Sequence, residues 1–385
     1  MDVELSAEHE ELRSVVARFA RDEVAPVIGD YYRRGEFPLP LVRRMGELGL
    51  FGLPIPEEYG GMGGDYLALC VAIEEIARVD SSLAITLEAG VSLGAMPLLR
   101  FGSEAQRKEW LPALAAGEML GAFGLTESGS GSDAGSIRTT AELDGDEWVI
   151  NGSKSFITNS GTEITGLVTV AARTGTRPDG RAEVSAILVP SGTPGFVVAP
   201  DYDKVGWNAS DTHELSFTDV RVPVENLVGE RGRGYAQFLS TLSEGRVAIA
   251  ALATGLAQGC VDESLAYVQT RESFGKPIGT RQVIQFMIAD MSVRAHLSRL
   301  AWRQAAALMV AGKPFATQAS IAKLYSSEAA MDNARVGTQV HGGYGFTTES
   351  AVGRFYRDAK VLEIGEGSSE VQRMLIARDL GLPAE

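Results

Sequence analysis

Hydrophobic positions recur with a helical period at the start of the chain. Leu12, Val15, Val16, Phe19 and Ala20 fall at i, i+3, i+4, i+7 and i+8 behind a candidate Ser6 cap. This predicts one amphipathic helix ending just before Pro26. A Gly- and Pro-rich stretch, Gly49 to Gly64, breaks the pattern, and the apolar segments Tyr66 to Ala77 and Leu83 to Leu99 read as buried helices. From about Gly121 the period changes to two: alternating runs flank Asp144-Gly145, a hairpin signal, and GLVTVAAR, VSAILVP, GFVVAP and HELSFTDVRVP read as strands. Past Gly234, Phe238 to Thr270 and Gln282 to Val310 return to helix formers. The pattern predicts a multidomain α and β fold. Residues 1–120 form an N-terminal α-helical domain, residues 121–233 a middle β domain, and residues 234–385 a C-terminal antiparallel four-helix bundle.

Composition narrows the function. Hydrophobic residues make up 45% of the 385 residues and charged residues 22%, and no run is expected to approach the ~20 apolar residues of a membrane span. A net charge of −15 argues against general nucleic-acid binding, so an anionic ligand must find a local basic site. Cys70 and Cys260 are the only cysteines, and the acidic, amphipathic first residues lack the features of a secretory signal, which together point to a cytoplasmic location. His9, His213, His296 and His341 lack metal-ligand spacing, so no metal is expected.

The segment AFGLTESGSGSDAGS, Ala122 to Ser136, combines small residues with hydroxyls, a composition that lets backbone amides close on a pyrophosphate. Gly129 to Ala134 also fits G-x-G-x-x-A, but a hairpin follows where a dinucleotide fold requires a helix. Near the C-terminus, VLEIGEGSSEVQR sets Glu366 in a Gly/Ser turn ahead of a candidate helix.

These segments carry a resemblance. GLTESGSGSDAG, Gly124 to Gly135, is similar to one signature of the acyl-CoA dehydrogenase family. In QVHGGYGFTTESAVGRFYRD, the residues Gln339, Gly342, Gly343, Gly345, Phe346, Glu349, Arg354 and Asp358 match a second. PEEYGG, WVINGSKSFITN, FTDVRVPVENLVGE and RESFGKPI extend the likeness over nearly the whole chain. The resemblance implies α,β-dehydrogenation of an acyl-CoA to a trans-2-enoyl-CoA with FAD as cofactor, in a homotetramer that passes electrons to an electron-transfer flavoprotein. It implies that Phe123, Leu125, Thr126, Phe156, Ile157 and Thr158 meet the flavin, with Thr158 at N5, and that Ser132 lies near pyrophosphate and substrate. Arg271, Phe274, Gln282, Gln339, Val340, His341, Gly342 and Gly343 resemble residues that hold the diphosphate and adenosine, partly across a subunit boundary.

By the same resemblance Glu366 is the base that removes the α-proton while the β-hydrogen leaves as hydride to N5; Gly367 contacts substrate, and Ser368, Ser369 and Glu370 border FAD. A carboxylate suits this task, because charge gathers on the thioester oxygen as the proton leaves, and an apolar pocket raises the pKa of the base. TLSEGR resembles a substrate-contacting element, which adds Ser243, Glu244, Gly245 and Arg246; Ser243 stands where the family usually has Asp, and Glu244 is a competing acid. Gly365 stands where many members carry a large aromatic. A flavin oxidase or monooxygenase on the same scaffold, and a non-catalytic acyl-CoA or flavin-binding protein, remain the alternatives.

Overall fold

The computed structural model describes residues 4–383. The Ser6 hydroxyl accepts from the His9 backbone N–H at 3.3 Å and caps α1, Ala7–Phe19. Pro26 does not end this helix, contrary to expectation. The chain runs through a π-helical turn, Ala20–Val24, into α2, Ala25–Arg34. The wider turn ahead of Pro26 relieves the clash of its ring with preceding carbonyls and absorbs the missing N–H donor.

After α3, Leu39–Glu47, the Gly- and Pro-rich stretch folds into short 3-10 turns at Leu50–Gly52 and Glu57–Tyr59. Helix α4, Tyr66–Ala77, starts at Asp65, which accepts from the Ala68 N–H at 2.8 Å. The next apolar segment is composite: α5, Ser81–Glu88, a π-helical stretch, Ala89–Ala95, and α6, Met96–Phe101. Its 21 residues are long and apolar enough to cross a membrane, which corrects the expectation that no run approaches that length. It is a core helix, with 89% of its most apolar window buried inside the protein. Helix α7, Glu104–Ala115, closes this part.

The middle strands are β1, Leu120–Gly124; β2, Thr140–Asp144; β3, Glu147–Thr158; β4, Thr165–Thr176; β5, Ala182–Pro190; β6, Phe196–Val198; β7, Thr212–Pro223; and β8, Leu227–Val228. They form one sheet in the order β6-β7-β3-β2-β4-β5-β8, with β1 parallel to β4 off the main path. The β2–β3 hairpin pairs Asp144 with Glu147, as the Asp144-Gly145 signal predicts. One face of the sheet buries Trp148, Ile150, Val170, Phe217 and Val222. The G-x-G-x-x-A stretch lies in the loop between β1 and β2 with no helix after it, so the dinucleotide pattern lacks its structural context.

Helices α8, Gly234–Thr270, α9, Gln282–Val310, and α10, Ala316–His341, pack on one another, and α11, Ala351–Leu362, fills against α10 and α8 to complete the bundle. A short hairpin of β9, Glu272–Ser273, and β10, Lys276–Pro277, joins α8 to α9, and α12, Ser369–Asp379, follows the Glu366 turn. The buried middle of α8, rich in Ala, Val and Leu, also receives α4, so N-terminal and C-terminal helices share one core.

One buried carboxylate ties all three parts together. Asp358 of α11 accepts from the Tyr32 hydroxyl of α2, from the Ser81 hydroxyl of α5 at 2.7 Å, and from the backbone N–H of Trp207, in the loop before β7, at 2.7 Å. One turn earlier Arg354 pairs with buried Asp80 at 3.0 Å and donates to the Val79 carbonyl.

Candidate active site

Glu366 sits in the turn between α11 and α12 with φ at 51°, a region that costs a non-glycine residue on the order of 1 kcal/mol or more. The turn is pinned from several sides. Lys323 of α10, fully buried, donates to the Gly367 carbonyl at 2.8 Å; Gln372 donates to the same oxygen at 2.9 Å; Ser369 N–H reaches back to the Glu363 carbonyl at 2.9 Å. Ser368 caps α12 by accepting from Val371, and the exposed Glu370 lies in the first turn of that helix.

The Glu366 residue as a whole is half-buried, but both carboxylate oxygens are enclosed and receive no donor in full hydrogen-bond geometry. Burial pushes its pKa up to about 7, against the opposing effects of the Glu88 carboxyl, Lys323 and Arg246. Its backbone N–H has no acceptor among the described residues, so a donor stands free beside the carboxylate.

The carboxylate rests against Gly245 of α8. A Cβ built there would stand 3.2 Å from the Glu366 carboxyl carbon and press into Oε2, so the absence of a side chain makes the room. Among the described residues Arg246, 7% exposed, has Nε unpaired and makes only a long 3.5 Å hydrogen bond to the Ser243 hydroxyl; burial lowers its pKa and the charge on Glu366 opposes that. Glu244 turns to Arg100 at 3.2 Å, so the competing acid is engaged in an ion pair. A Cβ at Gly365 would meet only the Val361 carbonyl at 3.5 Å, which leaves that side of the turn open.

A second group forms where β1 and β3 end. Ser155 N–H donates to the Thr126 carbonyl at 2.9 Å, and the buried Lys154 bridges the Leu125 carbonyl at 3.1 Å and Glu127 at 2.8 Å. Phe156, with φ at 60°, presents its ring to solvent at 64% exposure, stacked on Tyr202. The hydroxyls of Thr126, Thr158 and Ser132 have no protein partner among the described residues. An exposed aromatic face edged by free hydroxyls matches the chemistry of a flavin site. Ile157 and Leu125 are buried, with the Leu125 N–H on the Phe123 carbonyl at 3.2 Å and the Ile157 carbonyl accepting from the Ser160 hydroxyl at 2.7 Å, and Phe123 is half-buried against Phe238 with ring centroids 4.3 Å apart.

Arg271, Phe274, Gln282 and the run Gln339 to Gly343 gather separately, at the far end of the bundle. Arg271 is exposed, has no carboxylate partner among the described residues, and lies 6.0 Å from the Tyr344 ring centroid. Phe274 is 94% exposed, and Gln282, Gln339, Gly342 and Gly343 are exposed too. Val340 and His341 point inward: the His341 ring stacks on Tyr267, its Nδ1 lies 2.8 Å from the Gly337 carbonyl, and its own carbonyl accepts from the Tyr267 hydroxyl at 3.4 Å. Among the described residues no hydrogen bond, ion pair or ring contact joins this group to the Phe156 face.

Motif reasoning missed two residues beside Glu366. Lys323 has no local sequence signal. Glu88 has one, an acid inside an otherwise apolar helix, and burial together with the Glu366 charge pushes its carboxyl well above the ordinary range.

Three family models match in succession: acyl-CoA dehydrogenase N-terminal domain over residues 6–118, middle domain over 122–220 and C-terminal domain over 232–381. The chain is 47% identical over 380 residues to a probable acyl-CoA dehydrogenase, YngJ, of Bacillus subtilis, covering 99% of this chain and 100% of that one. It is 42% identical over 378 residues to the mitochondrial short-chain specific acyl-CoA dehydrogenase of Mus musculus, covering 98% and 91%. Butyryl-CoA dehydrogenase from Megasphaera elsdenii superposes with a TM-score of 0.95 at 38% identity, covering 99% and 100%. The chain belongs to the acyl-CoA dehydrogenase family.

Proposed function

We propose that this enzyme is an FAD-dependent acyl-CoA dehydrogenase of short-chain type, with Glu366 as the α-proton base. The observation that carries the reading is the enclosed Glu366 carboxylate, held without a donor N–H beside a free backbone N–H of its own. A base kept poor in hydrogen bonds and near neutral in pKa is ready to take a proton, and the adjacent N–H is ready to receive the thioester oxygen on which charge gathers. The likeness to the short-chain and butyryl enzymes supports short-chain specificity.

Thr126, Phe156 and Thr158, backed by Leu125 and Ile157, would hold the flavin ring, and Ser132 would approach pyrophosphate and CoA. FAD, when bound, supplies the acceptor for the β-hydride. Lys323 and Gln372 hold the turn so that the carboxylate faces Gly245, and enclosure of its oxygens excludes water from the proton. The separation of the Arg271 group from the Phe156 face supports a homotetramer in which a second copy brings Arg271, Phe274, Gln282 and the Gln339 to Gly343 run to the adenosine half. Electrons then pass to an electron-transfer flavoprotein, and the enzyme works in the cytoplasm.

Anaerobic mixing with butyryl-CoA is expected to bleach the flavin. Glu366→Gln is expected to retain FAD and abolish bleaching; a normal rate in that variant removes Glu366 from the role of base. Rapid peroxide formation by the reduced wild type points instead to the oxidase reading.

A further inference from the structure

Glu88 is the last residue of α5, at the junction with the π-helical stretch, and it is 0% exposed. Both its carboxyl oxygens are shut off from solvent without a donor in full hydrogen-bond geometry. A bare carboxylate in such a place is strongly disfavoured. The group it meets is another carboxyl, that of Glu366, whose oxygens are equally enclosed. Two acids whose charges act on each other in an apolar setting do not readily both ionise, so they share one proton.

The surroundings decide where that proton resides. On the Glu366 side stand two cations, Lys323 of α10 and Arg246 of α8, with Glu363 and Glu370 around Lys323. On the Glu88 side the described residues place no unpaired cation: α4 contributes Tyr66, whose hydroxyl donates to Ser92 at 2.8 Å, and Cys70, while Glu244 of α8 is paired with Arg100. Just past the end of β3, the Asn159 amide donates to the Thr86 carbonyl at 3.0 Å. Negative charge belongs with the cations, on Glu366, and the proton belongs on Glu88. Burial and the Glu366 charge push Glu88 well above the usual carboxylate range, against a smaller effect of the Ser92 hydroxyl.

We infer that Glu88 is a positioning residue for the reaction: it stays protonated, and its O–H donates to the Glu366 carboxylate and holds it against Gly245 as an ionised base. The inference rests on the reading of Glu366 as base, and it assigns Glu88 no contact with the reacting carbons. Without the Glu88 donor, only burial and the two cations govern the base, and its proton affinity rises. A neutral donor of similar shape keeps the base where it was.

The test uses FAD-loaded Glu88→Gln and Glu88→Leu with butyryl-CoA, following kcat/KM against pH. Glu88→Leu is expected to move the acid limb up by about one pH unit, a roughly tenfold loss below the limb, while Glu88→Gln leaves the limb near its wild-type position. A limb that moves down in Glu88→Gln means Glu88 was ionised and repelling the base, and overturns the inference; so does a limb unmoved in Glu88→Leu. Infrared difference spectra of the wild type at pH 8 are expected to show the carbonyl stretch of a buried carboxylic acid that Glu88→Gln lacks. Absence of that band overturns the inference even if the Leu variant fails to fold. Normal flavin bleaching by Glu366→Gln sinks the base reading instead, a failure distinct from these.

Discussion

Gly245→Ala tests the geometry of the base with one methyl group. The new Cβ would stand 3.2 Å from the Glu366 carboxyl carbon and well inside contact with Oε2. The backbone of α8 is packed on several sides, so the carboxylate, the end of a flexible side chain, is the part that yields. It must retreat by about 1 Å to reach ordinary van der Waals distance, and a misplacement of that size costs on the order of 100-fold in rate. The fold is expected to bear the change, since alanine favours a helix interior over glycine by ~1 kcal/mol, which offsets the displacement. Anaerobic stopped-flow mixing with butyryl-CoA measures the bleaching rate, and thermal unfolding measures the fold. The expected result is a rate lower by about two orders of magnitude with a melting temperature within a few degrees of wild type. A bleaching rate within threefold of wild type would refute the placement of Glu366 against Gly245 as the working geometry.

The pKa of Glu366 predicts that kcat/KM rises with pH through about 7, because the base works only when ionised. Lys323→Met removes a cation that favours the ionised form and is expected to move that limb upward, read from the same pH profile. The sign for stability is opposite: the folded state holds the Glu366 proton above its ordinary range, so its contribution is greatest below about 4.5 and is lost as pH rises through about 7. Glu366→Gln is therefore expected to gain urea resistance over wild type at pH 8 but little at pH 4.5. Asp358→Ala leaves the Tyr32, Ser81 and Trp207 donors unpaired and is expected to cost about 3 to 5 kcal/mol, seen as a large fall in melting temperature. Arg271→Ala is expected to weaken FAD retention roughly tenfold or more, measured as the flavin-to-protein ratio after gel filtration, while thermal unfolding changes little.

Period and turn chemistry are local properties, and they were legible. Tyr66 to Ala77, the Asp144-Gly145 hairpin and Gln282 to Val310 all appear in the structure as the pattern predicts. The π-helical turns were not legible, because an extra residue in a helix leaves little trace in an apolar pattern; hence the misjudged end at Pro26. At the site, a short motif singles out Glu366, whereas Glu88 and Lys323 reach it from α5 and α10 through packing alone. His341 sits in a motif that implies a ligand contact, while its ring stacks on Tyr267 and its Nδ1 meets the Gly337 carbonyl, contacts that the motif's spacing does not foretell. Arg354 and Asp358 belong to a family signature, and their spacing alone did not reveal that they join three parts of the molecule.

That junction also acts on distance. Helix α5 begins at Ser81, bonded to Asp358, and ends at Glu88, seven residues on, a span of about 10 Å. A helix fixed at one end behaves as a gauge block: the position of its far carboxyl is set by the rise per residue and by where its first turn is clamped. Loosening Tyr32, Trp207 or Asp358 would therefore shift Glu88 along its axis relative to Glu366. Substitutions far from the acyl pocket can thus detune the base without touching it, and their trace would be a displaced pH profile in a protein that still holds its flavin.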